Sequence, residues 1–548
     1  MNKKINILIP LLIAVSVAAG ILIGNLLNRN SQPGFTGLNV GKSNKMSEIL
    51  SYIEQGYVDS VNTSGIIEKT IPEVLKNLDP HTTYIPVSDM QEVEEEMKGK
   101  FSGIGVQFSI MDDTVRVIEV ISGGPSSKVG IMPGDRIVRV NDSIIAGVNV
   151  SNSTVMNLLR GEKNTKVVVG VARKGSDNQL DFEIIRGDIP INSIDVSYMI
   201  DSETGFIKIS RFANKTYKEF MEGMEKLSDS GAKKVIIDLR QNPGGSLVAV
   251  LQMVDEFLTK DEAILYTEGV NQPRKTYNAS GNNTWKDIKV YVMIDEFSAS
   301  ASEIFAGAIQ DNDRGLIIGR RSFGKGLVQE QIPLSDGSAL RLTVARFYTP
   351  SGRCIQSSYE DGNEEYFNHI YERFHSMEQL VADSIHFADS LKYTTKSGRI
   401  VYGGGGIMPD FFVPVDTSGN SEYFNNIYRK GLVYTFAYAY ADEHRKELSD
   451  FKKADEFDRY LESKNVLEEF VKYASDKGVP RDNKGLKQSS LIIKTQIKAY
   501  IARNIIGEEG FYPIIEKIDN TLLKAIEISK QNLLVENINA VKEAKVKN

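Results

Sequence analysis

Cysteine and histidine are scarce in this sequence. Cys354 is the only cysteine among the 548 residues, which excludes an intramolecular disulfide and a metal site built from several thiolates. None of the five histidines has a partner at the His-Glu-x-x-His spacing of zinc proteases. We therefore expect neither of these kinds of metal site.

An excess of positive charge is also missing. The chain has 65 lysines and arginines against 72 aspartates and glutamates, a net charge of −7. Proteins that bind nucleic acids are usually basic, so we expect no nucleic-acid partner. A chain of this length is too long for one hydrophobic core, and we expect three or more structural units.

The N-terminus has the pattern of a targeting segment. Lys3 and Lys4 precede an apolar stretch from Ile5 to Leu27, which is long enough to span a membrane. We predict a signal anchor in residues 1–28, with a cleaved signal peptide as the alternative. The lysines favour a cytoplasmic N-terminus, so the rest of the chain would lie on the periplasmic side, anchored to the inner membrane or secreted after cleavage.

The rest of the chain changes pattern four times after a polar linker, residues 29–45. Residues 46–99 show helical spacing, whereas residues 100–187 contain short strand-like runs separated by turns. Residues 188–415 alternate between strands and helices, which indicates an α/β core. Residues 416–548 are mainly helical in pattern.

A run of serines lies where a predicted strand meets a predicted helix. Ser300 and Glu303 match a capping box, which is a purely structural explanation. The same position would also suit a nucleophile, because the N–H of Ala301 at the helix N-terminus could stabilise an oxyanion. By composition alone Ser298 and Ser302 are equal candidates.

A serine nucleophile needs a base, and Lys325 follows Ser300 by 25 positions. Residues 319–326 nearly match a phosphate-binding P-loop, but residue 326 is glycine and a strand-like run follows. As a base Lys325 would need a lowered pKa, which burial could supply, whereas a surface lysine in a turn is the plain alternative. On a strand Lys325, Leu327 and Gln329 would share one face, and Gln329 could then hold the amine.

Consecutive glycines end the segment Asp238-Leu-Arg-Gln-Asn-Pro-Gly-Gly245, between a predicted strand and a predicted helix. Glycines at such a turn expose backbone N–H groups, which can bind a phosphate or an oxyanion. Glycine turns are common, so the segment alone is not specific.

Together these motifs resemble those of the C-terminal processing peptidases, also named tail-specific proteases. The resemblance covers roughly residues 46–415 and includes Leu78–His81, Tyr348–Arg353 and Gly404–Asp410. It implies an α/β fold with a crotonase-like peptidase core, an inserted PDZ domain and helical N- and C-terminal regions.

The resemblance also implies roles for single residues. Ser300 matches the nucleophile, Lys325 the general base and Gln329 the residue that holds the lysine. Ala301 matches one oxyanion donor, and either Gly245 or Gly244 matches the other.

In this family the module before the core is a PDZ domain, which residues 100–187 resemble. Its carboxylate-binding loop would consist of Gly103, Ile104, Gly105 and Val106, although these residues also fit a simple turn at the start of a strand. Arg160, at the end of a predicted helix, could read the substrate carboxylate or gate the active site, and a solvated arginine is the alternative.

The resemblance thus predicts a serine endopeptidase that binds polypeptides by their free C-termini and cleaves extracytoplasmic proteins. It implies neither a metal nor an organic cofactor. One alternative is a PDZ scaffold on an inactive protease-like core, which would bind C-termini without cleavage. Another is an esterase or a ligand-binding relative on the same core. The helical regions at both ends are candidate surfaces for a homo-oligomer.

Overall fold

A computed structural model describes residues 45–121, 123–174, 176, 178–381 and 388–531 of the chain. The predicted signal segment, residues 1–28, and all but the last residue of the predicted linker lie outside the described residues. In the described part of the chain, no helix combines the length and the apolar character needed to cross a membrane. The described residues divide into two compact units, with the boundary between Ile71 and Pro72.

The predicted N-terminal helical region contains three helices. They are α1 (Lys45–Gly56), α2 (Thr63–Leu75) and α3 (Val87–Lys98), with a short strand, β1 (Thr83–Ile85), before α3. The first unit ends within α2. Gly99 ends α3 in the left-handed conformation, with φ 67°, which glycine adopts without strain.

Residues 100–187 form a separate β-module. Its elements are β2 (Lys100–Gly103), β3 (Val106–Met111), β4 (Thr114–Val120), α4 (Pro125–Val129), β5 (Arg136–Val140), β6 (Ser143–Ile144), α5 (Asn152–Leu159), β7 (Lys166–Ala172), β8 (Leu180–Ile185) and β9 (Gly187–Pro190). The sheet order is β3-β4-β5-β7-β8, so β3 is an edge strand. Alternating valines of β4 and β7 point into its core.

Strands and helices alternate in the following region, as the sequence predicts. Its elements are β10 (Ile194–Met199), β11 (Thr204–Ile209), α6 (Thr216–Asp229), β12 (Lys234–Asp238), α7 (Leu247–Asp255), β13 (Ala263–Gly269), β14 (Gln272–Asn278), β15 (Lys289–Ile294), α8 (Ala301–Asp311), β16 (Gly315–Gly319), β17 (Leu327–Pro333), β18 (Ala339–Tyr348), α9 (Asn363–His375), β19 (Lys392–Thr394), β20 (Ile400–Tyr402) and β21 (Phe411–Phe412).

A six-stranded sheet of order β10-β11-β12-β15-β16-β21 forms the centre of this region. All of its strand pairs are parallel except β10 with β11. Strands β12 and β16 are buried along their whole length, as expected for a parallel sheet covered on both faces. A second sheet, β1-β18-β13-β14 with β17 on β18, brings the segment around β1 beside the core.

The C-terminal region is helical, as its pattern predicts. Its helices are α10 (Glu422–Arg429), α11 (Leu432–Glu443), α12 (Arg445–Leu448), α13 (Ala454–Glu462), α14 (Val466–Asp476), α15 (Asn483–Ile506), α16 (Glu508–Ile515) and α17 (Asn520–Lys530). Most of them share a core of their own. Helix α17 differs, because its apolar side packs on the central sheet.

The two faces of the central sheet are therefore covered by different parts of the chain. Side chains of α6, α7 and α8 pack on one face, together with Ile207, Ile237 and Val292. On the other face Ile236 and Met293 join a cluster that includes Leu522, Ala525 and Ile528 of α17. The C-terminal region thus docks on the core.

Candidate active site

The predicted nucleophile and the glycine turn, residues 238–245, meet at one edge of the central sheet. Ser300 follows β15, the glycine turn follows β12, and these strands are parallel neighbours. A Cβ atom built on Gly244 would lie 2.8 Å from the Ser300 Cβ and 2.9 Å from the Ala301 nitrogen. Only glycine allows this approach, so the turn lies directly against the candidate nucleophile.

Ser300 has a backbone conformation that is unfavourable for a residue with a side chain. Its φ is 54° and its ψ is −110°. Its N–H donates to Glu303 Oε2 at 2.9 Å, and its carbonyl accepts from the N–H groups of Glu303 and Ile304, both at 2.9 Å. Such strain persists only where the surroundings hold it and is concentrated at functional sites. The helix cap and the candidate nucleophile are thus the same residue.

Glu303 joins the serine to the lysine. Its fully buried carboxylate also accepts from Ser322 Oγ at 2.6 Å, the Gly324 N–H at 2.7 Å and the Lys325 N–H at 2.8 Å. Burial raises the pKa of Glu303, although these hydrogen bonds favour its charged form. The carboxylate therefore holds the backbones of Ser300 and Lys325 in a fixed relation.

The two rival serines are used elsewhere. Ser298 and Ser302 are fully buried, whereas Ser300 is half-buried. Ser298 Oγ donates to the Leu239 carbonyl at 2.9 Å, and Ser302 Oγ donates to the Asn242 carbonyl at 3.0 Å. Both side chains therefore support the glycine turn.

Lys325 lies in a loop, not on a strand as the sequence predicts. Strand β17 begins only at Leu327, and its pairing shifts between Val328 and Gln329. The prediction of one shared strand face is therefore wrong: Leu327 is buried, whereas Lys325 and Gln329 are half-buried. The physical reason is that Gly324, with φ 95°, bends the chain just before the lysine.

The predicted contact between Lys325 and Gln329 is nevertheless present. Lys325 Nζ donates to Gln329 Oε1 at 3.0 Å. Burial, together with the charge of Arg341, lowers the pKa of Lys325, while Glu303 and Asp79 oppose this shift. A lowered pKa is what a lysine needs to act as a base. Among the described residues no hydrogen bond joins Lys325 Nζ to Ser300.

The sequence did not predict a role for the segment that contacts Gln329. Gln329 Nε2 donates to the carbonyl of His81. The buried Asp79 accepts from the His81 N–H at 2.9 Å and from Thr82 Oγ1 at 2.5 Å, which orders this segment. The signal was the motif Leu78–His81, and the structure shows that its backbone supports the lysine through Gln329.

The His81 ring contacts Tyr366. Its Nε2 lies 3.0 Å from Tyr366 Oη, and the two rings meet edge to face at 5.5 Å. Burial and the charge of Lys325 lower the pKa of His81 to about 4. The ring is therefore neutral at ordinary pH.

The predicted carboxylate-binding loop joins β2 to β3 in the β-module, whereas Ser300 follows a strand of the central sheet. Ile104 is buried, and Gly105, with φ 77°, has a conformation that favours glycine. Arg160 ends α5 with its guanidinium 4.7 Å from the centre of the Phe101 ring and 3.9 Å from Glu95. A Cβ atom on Gly103 would lie 3.8 Å from Arg160 Cγ, so the arginine is beside the loop.

Comparison with known proteins finds matches to three families. The sequence model of peptidase family S41 matches residues 203–362, that of the PDZ domain residues 102–184, and that of a family of unknown function residues 423–507.

Two relatives and one solved structure illustrate the similarity. The chain is 33% identical over 317 residues to a carboxy-terminal-processing protease of Bartonella bacilliformis, a match that covers 57% of this chain and 72% of the relative. It is 31% identical over 363 residues to the carboxy-terminal processing protease CtpA of Bacillus subtilis, a match that covers 65% of this chain and 76% of CtpA. Among solved structures, a photosystem II D1 C-terminal processing protease is 26% identical to this chain, with a TM-score of 0.33. The match covers 57% of this chain and 89% of that protease.

Proposed function

Because this chain belongs to peptidase family S41 and carries a PDZ domain, we propose that it cleaves polypeptides with a dyad formed by Ser300 and Lys325. The observation that carries the proposal is the fully buried Glu303, which binds the backbones of both residues. A structural cap alone would need only the bond to Ser300. The bonds to Gly324 and Lys325 make Glu303 a link between nucleophile and base.

The chemistry begins with a neutral Lys325 amine. The amine removes the proton from Ser300 Oγ, which attacks the carbonyl carbon of the scissile peptide bond. The resulting ammonium protonates the leaving nitrogen, and the new N-terminus departs from the acyl-enzyme. Lys325 then removes a proton from water, whose oxygen attacks the ester carbonyl carbon. The Lys325 ammonium returns this proton to Ser300 Oγ as the ester bond breaks, which regenerates the serine and the neutral amine.

The oxyanion would be held by two backbone N–H groups. One belongs to Ala301, the first residue of α8, where the helix dipole also favours negative charge. For the other we favour Gly245, because the N–H of Gly244 already donates to Asn242 Oδ1 at 2.9 Å. Gly245 is fixed by Phe212, whose carbonyl oxygen would lie 2.0 Å from a Cβ atom at this position.

Substrates would be polypeptides with a free C-terminus, in line with the names of the relatives. The edge strand β3 could be extended by the end of the substrate, with its carboxylate bound by N–H groups of the loop Gly103–Val106 and by Arg160. The apolar segment near the N-terminus supports a location on the periplasmic side, attached to the inner membrane or released by cleavage.

The test of the dyad uses a disordered polypeptide as substrate and mass spectrometry to detect products. We expect Ser300→Ala to abolish cleavage and Ser302→Ala to reduce it without abolishing it, both with a normal circular dichroism spectrum. Full activity of Ser300→Ala would refute the proposal. Binding without cleavage by the unaltered protein would instead support the PDZ scaffold.

A further inference from the structure

The last described helix of the C-terminal region starts close to the glycine turn. Its N-terminus is capped by Asp519, which accepts from the N–H groups of Thr521 and Leu522 at 2.9 and 3.1 Å. Helix α17 itself packs on β15 and β16 of the central sheet. A residue of the C-terminal region is thereby held at the sheet edge where the candidate active site lies.

Asp519 forms a bidentate ion pair with Arg240 of the glycine turn. Nη1 and Nη2 of Arg240 donate to Oδ1 and Oδ2 of Asp519 at 3.0 and 2.6 Å. Asp238, the last residue of β12, accepts from Nε and Nη2 of the same guanidinium at 3.0 and 2.8 Å. The Arg240 side chain is only 16% exposed, so water screens these bonds little.

The backbone of Arg240 is fixed as well. Its N–H donates to Asp238 Oδ1 at 2.9 Å, and its carbonyl accepts from Lys208 Nζ at 2.6 Å. The next residue, Gln241, has φ 61° and donates to Asp295 through its N–H and its side chain at 3.0 and 2.8 Å. A shift of the Arg240 backbone would therefore also strain the hydrogen bonds between Gln241 and Asp295.

From there the turn leads directly to the candidate oxyanion donor. The Asn242 carbonyl accepts from the Ala299 N–H and from Ser302 Oγ, both at 3.0 Å, so the turn is tied to the segment of the nucleophile. Asn242 Oδ1 accepts from Gly244, and the Gly244 carbonyl accepts from the Phe212 N–H at 3.0 Å. The backbone thus runs from Arg240 to the glycine pair through Gln241 and Asn242, and hydrogen bonds to neighbouring segments hold both of these residues.

We propose that Asp519 is a positioning residue for catalysis. By fixing Arg240 it would hold the glycine turn so that the N–H of Gly245 points at the developing oxyanion. The inference rests on the proposed function, because it requires Ser300 as the nucleophile. It gives the C-terminal region a part in the rate of the reaction in addition to its part in covering the sheet.

Two substitutions remove the charge that faces Arg240 and keep the helix cap, Asp519→Asn and Asp519→Ser. For both we expect kcat to fall about tenfold and KM to stay within about twofold, since a misplaced oxyanion donor affects the transition state. The matched control is Glu509→Gln, another carboxylate of the C-terminal region, which pairs with Lys226 at 3.1 Å on the exposed surface. We expect it to leave kcat unchanged.

A second readout separates positioning from a loss of stability. A peptide boronic acid, which forms a tetrahedral adduct with the serine, should bind about tenfold more weakly to the Asp519 variants. Binding of the uncleaved peptide, measured in the Ser300→Ala background, should stay the same. A purely structural role would weaken both or neither, and thermal unfolding shows whether the variants are folded.

The inference is overturned if both Asp519 variants have the same kcat as Glu509→Gln, or if boronate and peptide binding weaken equally. Failure of the proposed function gives a different result, namely cleavage by Ser300→Ala. The two failures are therefore distinguishable.

Discussion

The peptidase core and the PDZ module place their candidate functional residues in opposite environments. In the core Ser300 is strained at φ 54° and Glu303 is fully buried with its oxygens hydrogen-bonded. In the PDZ module the loop residues offer backbone groups, and the side chain of Arg160 is 38% exposed. Buried, satisfied polar groups hold a fixed geometry, whereas exposed groups contribute modest, adaptable contacts. Substitutions in the core should therefore change kcat, and substitutions in the module should change KM.

The largest effect is expected at the base. Lys325→Met should lower kcat about 10³-fold, because the serine would lose its proton acceptor while the side chain keeps its length. Steady-state cleavage of a fluorogenic peptide measures this. As a control, His81→Ala keeps the backbone carbonyl that binds Gln329 and should reduce kcat by less than about tenfold. The reverse order of effects would make His81 the base.

Glu303→Gln should give the next largest loss. One end of the amide would turn an N–H₂ group toward backbone N–H donors, so we expect kcat to fall about 100-fold and stability to fall by roughly 1–3 kcal/mol. Kinetics and urea unfolding measure the two effects. The matched control is Glu256→Gln. Glu256 is a buried glutamate outside the candidate site, and it accepts a hydrogen bond of 2.5 Å from Tyr217 Oη. It should lose stability but keep kcat, and an equal loss of kcat would show that Glu303 acts through stability alone.

Removing the charge of Arg341 should shift the pH dependence, although burial is the larger cause of the lowered pKa of Lys325. A lysine base is active when deprotonated, so the rate rises as pH passes its pKa, and a lowered pKa moves this rise to lower pH. Arg341 contributes to the lowering, so Arg341→Gln should move the rising limb of kcat/KM to higher pH. Arg139→Gln in the PDZ module, with the same change of net charge, should leave the limb in place. A limb unmoved by Arg341→Gln would contradict the assignment of the titrating group to Lys325.

The smallest effect is expected in the PDZ module. Arg160→Ala should raise KM about fivefold with kcat nearly unchanged, since a half-exposed charge contributes about 1 kcal/mol to binding. A substrate with an amidated C-terminus should show no difference between the two proteins. Lys163→Ala, which removes an exposed lysine paired with Asp188 at 2.9 Å, should have no effect. A drop of kcat in Arg160→Ala would mean that this arginine acts on the active site itself.

The sequence predicted most of the fold, because the relevant signals are local. The alternation of strands and helices over residues 188–415 predicts the α/β core, and the family resemblance supplied the peptidase core and the PDZ domain, which the comparisons confirm. The boundaries of the domains, the membrane anchor, the location and the self-association stay predictions.

The residues of the candidate site that belong to short sequence motifs were predictable, whereas those contributed by segments distant in sequence were not. Ser300, Lys325 and Gln329 each belong to a short motif. Asp79 and Asp519 come from segments far away in sequence, and only the sheet pairing of β1 and the docking of α17 bring them to the site. The prediction for Lys325 was wrong because it continued the alternating strand pattern through Gly326. The strand β17 begins only at Leu327.

The pKa of the Lys325 amine is the quantity on which the mechanism depends. Trace labelling with acetic anhydride over a series of pH values, read by mass spectrometry of the peptide that contains Lys325, measures it against the unfolded chain. We predict a midpoint below the ordinary value for lysine that coincides with the rising limb of kcat/KM. A midpoint at or above the ordinary value, with cleavage already rising at lower pH, would contradict a lysine base.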